Sequence, residues 1–127
     1  MTRTLPLALL PIVILSACAS STDGASVEAV DSDASAMTAR GRELFEANCA
    51  ACHGVSGTGT TSGPPLVHII YEPSHHGDAA FHRAVRVGVT PHHWDFGPMP
   101  PVTGLSDADI DHIIDYVSER QRAAGIE

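Results

Sequence analysis

The five residues Cys49-Ala50-Ala51-Cys52-His53 bring two thiols and an imidazole together at fixed spacing. On a helix, thiols three residues apart are separated by about one turn, so both can reach the two vinyl groups of one porphyrin and form thioethers. The histidine that follows then lies beneath the ring, where one nitrogen can bind iron and the other can donate to a carbonyl that fixes its tautomer. C-x-x-C-H is the attachment pattern for c-type haem. A redox-active C-x-x-C would sit in a βαβ pattern, and a zinc site would need a second Cys/His pair at ligand spacing. No hydrophobic β-run precedes Cys49, and the remaining cysteine, Cys18, lies far upstream.

Thioether attachment of haem takes place outside the bacterial cytoplasm, and the N-terminus agrees with that compartment. Arg3 supplies a basic start, and Leu5 to Leu15 is apolar but too short to span a bilayer. Residues 1–17 are therefore expected to be a signal peptide. Leu15-Ser16-Ala17-Cys18 resembles a bacterial lipobox, which implies a lipidated Cys18 and a membrane anchor; a plain cleaved signal is the alternative. Ala19 after the cysteine leans towards the outer membrane in the lipoprotein sorting pattern.

About 110 residues follow Cys18, enough for one small domain and a leash. Residues 18–36 are rich in Ser, Ala and Asp without aromatics, and are expected to be a flexible acidic linker because they cannot bury enough apolar surface to offset chain entropy. Residues 37–127 form the expected domain, a size at which a covalent cofactor helps greatly to complete a core. Seven arginines and no lysine stand against fifteen acidic residues, for a net charge of −8. Nucleic acid is thereby disfavoured as a partner, and a P-loop is ruled out in the glycine-rich stretch 54–63 because it needs a lysine. That stretch is expected to wrap the haem edge. An acidic carrier would be steered towards redox partners with basic docking faces.

The hydrophobic spacing predicts helices and almost no strands. Gly41, Leu44, Phe45, Asn48, Cys49 and Cys52 recur at three- and four-residue intervals, so a helix from about Thr38 would carry both thiols on its inner face. Met37 merely flanks it. Gly63-Pro64-Pro65-Leu66 opens an extended segment, and His68 to Tyr71 forms an irregular turn. Asp78 is placed to cap a helix bearing Phe81, Ala84 and Val85, with Gly88 ending it. After a proline-rich loop from Val89 to Thr103, Ser106 and Asp109 form a capping box for a helix with the stripe Ile110, Ile113, Ile114 and Val117.

From Thr38 to Arg122 the chain resembles class I cytochrome c. Gly41-x-x-x-Phe45-x-x-x-Cys49 is similar to the family's N-terminal helix, and Ile113 with Tyr116 to the C-terminal helix that crosses it; Gly41 would let the two approach closely. Gly63-Pro64-Pro65-Leu66 resembles the G-P-x-L turn, which implies that the Pro64 carbonyl accepts from the proximal imidazole of His53. Pro98-Met99-Pro100 followed by Leu105-Ser106-Asp107 resembles the segment that supplies the distal ligand. The implied fold is all-α, with three to four helices around one covalently bound haem c.

The chain departs from the family in its histidines. Four extra ones, His68, His75, His76 and His82, lie between Leu66 and Thr90, and His92-His93-Trp94 stands beside the methionine. Met99, held between prolines, is the expected distal ligand, with His92 or His93 as rivals. For His68, His75, His76, His82 and His112, surface or hydrogen-bonding roles are expected ahead of a secondary metal site. A His/Met pair leaves iron no open position, so the expected function is a periplasmic single-electron carrier, lipid-anchored at Cys18, and not an enzyme. The alternatives are a five-coordinate or His-ligated haem sensor or enzyme, and a copper-handling lipoprotein using His75, His76, His92, His93 and Met99.

Overall fold

The computed structural model describes residues 24–126. The segment expected to be a signal peptide, residues 1–17, and Cys18 lie outside them. Among the described residues there are four helices, α1 (Gly24–Asn48), α2 (Ala50–His53), α3 (Asp78–Val87) and α4 (Asp107–Ala123), and no strand beyond an isolated bridge between Val89 and Met99. The fold is all-α, as the periodicity predicts.

The core forms where α1 crosses α4. Leu44 and Phe45 from α1 meet Ile110, Ile113, Ile114, Tyr116 and Val117 from α4, and Val85 of α3 joins them. The Phe45 and Tyr116 rings tilt against each other with centroids 5.5 Å apart. Gly41 makes this crossing possible. A Cβ at that position would run into the backbone carbonyl of His112, with the Tyr116 Cβ 2.9 Å away. Closely approaching backbones tolerate only hydrogen at the contact.

Two helix boundaries differ from those expected. α1 begins at Gly24 and not near Thr38, so much of the segment expected as flexible linker is helical. The stretch from Ala25 to Ala36 contains neither glycine nor proline. Once the packed turns around Phe45 have met the cost of nucleation, each preceding residue extends the helix by one hydrogen bond. Residues 33–37 remain exposed on it. At α3, Asp78 is the first helical residue and Gly77 occupies the capping position without a side-chain bond. Gly88 ends α3 with φ 79°, as expected. At α4 the expected capping box is present: Asp109 N–H donates to Ser106 Oγ at 3.1 Å and Ser106 N–H to Asp109 Oδ2 at 3.0 Å.

Candidate functional site

α1 stops at Asn48, and Cys49 takes a non-helical conformation (φ −121°, ψ −34°) before the single turn of α2. Cys49 therefore stands at the break, as the cap of α2, with Cys52 inside that turn, and the two do not share the inner face of α1. Cys49 is half-buried and lines a cavity, whereas Cys52 is exposed and stands outside the cavity wall. They are not joined in a disulfide. Burial, with a smaller contribution from the neighbouring charge of Cys52, pushes the Cys49 thiol up to about 11. At neutral pH it is a protonated, weakly polar group facing an apolar space.

His53 ends α2 and is buried, with 9 % exposure. Its Nδ1–H donates to the Pro64 carbonyl at 2.9 Å. Since a carbonyl can only accept, the tautomer is set, and Nε2 keeps its lone pair on a residue that lines the cavity. Behind this pair, the glycine-rich loop is folded against α2. Thr60 Oγ donates to the Cys52 carbonyl at 2.6 Å, Gly59 N–H to the His53 carbonyl at 2.6 Å, and a Cβ at Gly63 would lie 2.9 Å from the Cys52 oxygen. The loop buttresses the backbone of α2 and leads into Pro64; none of residues 54–63 lines the cavity.

The cavity measures about 330 Å³ and runs between Phe45, Cys49 and His53 on one side and α3 with the proline-rich loop on the other. α3 contributes Phe81, Ala84 and Val85, and α4 contributes Ile113. Met99 lines the same space. Its backbone is fixed to the end of α3, because Met99 and Val89 exchange both amide bonds at 3.0 Å and Gly88 leaves no room for a Cβ beside the Met99 carbonyl. His92 and His93 also border the cavity, but both are exposed. Loss of solvent, and the charges that His92, His76 and His75 would carry, hold the His93 imidazole below its ordinary value.

Three residues of the site escaped sequence reasoning. Trp94 lines the cavity beside Tyr71, and its buried indole N–H makes no well-formed hydrogen bond among the described residues. Gln121, 2 % exposed, donates to the carbonyls of Leu66 at 2.9 Å and Tyr71 at 3.0 Å, tying the segment after Pro64 to α4. A polar side chain four residues beyond Val117 on the apolar stripe is the signal that could have identified it. Ser56, held at φ 56°, accepts from the Tyr116 hydroxyl at 3.2 Å.

A covalently bound haem fits these residues. The wall is mainly apolar, Cys49, Met99 and a His53 of set tautomer line it, and the buried Trp94 N–H, without a well-formed hydrogen bond, is available to a carboxylate.

No curated protein matches the chain. The family model described as cytochrome c matches residues 38–121, which run from the packed turns of α1 to Gln121 of α4 and include every cavity-lining residue named above. By that match and by this site, the chain belongs to the cytochrome c family, carries covalently bound haem c and serves haem-based electron transfer.

Proposed function

We propose that the protein is a periplasmic single-electron carrier whose one haem c is joined to Cys49 and Cys52, with His53 as proximal and Met99 as distal ligand. The observation that carries this reading is the His53 to Pro64 bond of 2.9 Å at the wall of an apolar cavity, immediately after the C-x-x-C. Bound haem c supplies a one-electron couple. The chain's own residues do the rest. Pro64 orients the imidazole, Phe45, Phe81 and Val85 exclude water from the cavity, and the Val89–Met99 bridge holds the loop that presents the thioether. Met99 and His53 would hold the iron between them, a soft thioether with an imidazole, a donor set that would suit a carrier's potential and would leave no ligand position for substrate.

Export, and lipidation at Cys18, complete the proposal. They rest on the signal-like and lipobox-like N-terminus, and the acidic surface supports partners with basic docking faces. The decisive test of the attachment is acid-acetone extraction of protein expressed with a haem maturation system. Haem is expected to stay with the wild-type polypeptide, and Cys49→Ala or Cys52→Ala to weaken or abolish that retention. Complete extraction from the wild type would overturn the attachment.

A further inference from the structure

Four of the eight histidines gather at the solvent side of the cavity, outside the pair of ligands assigned to haem. His75 and His76 come from the turn after residues 69–71, where both amides donate to the Glu72 carbonyl, at 3.0 and 2.8 Å. His93 comes from the loop that carries Met99. A candidate nitrogen from each of these three lies within 4.8 Å of the other two.

We propose that His75, His76 and His93 bind one divalent transition-metal ion of the zinc and copper class, separate from the haem. His75 Nε2 and His93 Nε2 are 3.2 Å apart and share a hydrogen bond, whose proton an ion would displace. A tetrahedral ion with metal–nitrogen bonds of about 2.0–2.1 Å sets its ligand nitrogens about 3.3 Å apart, so this pair already has the required spacing. His76 is oriented for the same purpose. Its Nδ1–H donates to the Ile70 carbonyl at 2.8 Å, which leaves Nε2 with the lone pair, the arrangement that commonly supports a ligating imidazole. His92 stands beside the group, its ring centroid 4.2 Å from that of His93 and its Nδ1 3.2 Å from the Thr90 carbonyl. Three neutral imidazoles with water in the fourth position select zinc, copper or nickel over magnesium or calcium, which require oxygen donors. The ion would join the turn at 72–76 to the loop that presents Met99.

The test is calorimetric titration of metal-stripped holoprotein with Zn(II), with the haem absorption spectrum followed in parallel. The wild type is expected to bind one equivalent, and His75→Ala and His93→Ala each to weaken binding at least tenfold. His82→Gln, which alters a histidine paired with Asp111 elsewhere, is expected to bind as the wild type does. His75 is not part of the cavity wall, so His75→Ala leaves the haem site intact and separates failure of this proposal from failure of the haem ligation. No stoichiometric Zn(II) in the wild type, equal affinity in His75→Ala, or an equal loss in His82→Gln would overturn it. A change of haem ligation in His93→Ala would also overturn it, by assigning that imidazole to the iron.

Discussion

Met99 and His93 lie on one loop and border one cavity, yet their surroundings differ. The Met99 backbone is exchanged with Val89 through two 3.0 Å bonds, which gives its thioether a fixed origin. His93 is exposed and turned towards His75. The oxidised holoprotein should therefore show the weak near-infrared band of methionine-to-iron charge transfer. Met99→Ala should remove that band and open the iron to added ligands such as cyanide. Persistence of the band in the variant would exclude Met99, and ready binding of carbon monoxide by the reduced wild type would favour the sensor or enzyme reading. The unmodified Cys49 thiol, raised to about 11 by burial, should react slowly with alkylating reagents in apoprotein at pH 7, whereas the exposed Cys52 should react first. Mass spectrometry after brief alkylation would show the order.

The crossing of α1 and α4 is the element on which the cavity depends, because Phe45 and Ile113 serve both the core and the cavity wall. Gly41→Val forces the two backbones apart at the His112 carbonyl. Overpacking of this kind costs about 1–3 kcal/mol, and denaturant unfolding of the holoprotein would measure it. The start of α4 has a pH dependence of its own. A hydrogen bond from Ser106 holds Asp109 below the ordinary carboxylate value of 3.8, and a hydrogen bond and charge from Arg86 do the same for Asp107. A lowered folded-state value means that the deprotonated group adds stability above the unfolded value, and that this is lost as pH falls through the folded one. Ser106→Ala should cost about 1 kcal/mol at neutral pH. The difference from wild type should shrink below pH 4, as thermal melts across that range would show.

At the scale of the whole molecule, α1 extends N-terminally of its packed turns, and the 17 residues ahead of the Gly41 crossing are about 25 Å of helix. With Cys18 acylated as proposed, this helix is a semi-rigid arm that holds the haem domain away from the bilayer, in place of the coil expected from composition. Cys18→Ser should move the protein from the membrane fraction to the soluble periplasm while it stays red. Recovery of the variant in membranes without a bound partner would count against tethering. A net charge of −8 also implies that association with a basic partner slows as ionic strength rises, which stopped-flow electron transfer would detect.

Local chemistry made much of this legible in the sequence. C-x-x-C-H, the Ser106–Asp109 cap and the stripe of α4 each depend on residues within a few positions of one another, so spacing alone specifies them, whereas the role of Pro64 was legible only through the resemblance to class I cytochrome c. The role of Gly41 was likewise implied by that resemblance, since its partners are His112 and Tyr116, far along the chain. Only tertiary structure decided the burial of Gln121, whose partners lie 55 and 50 positions away; the break at Cys49 and the turning of the glycine loop onto α2 are local, but they rest on backbone conformation that hydrophobic spacing does not report. The length of α1 was misread because composition measures what a segment can bury by itself, not what a packed neighbour lets it propagate. The histidine doublets were visible as doublets, but their convergence came from the Val89–Met99 bridge and the turn at Glu72, which set His93 against His75 across 18 positions of sequence.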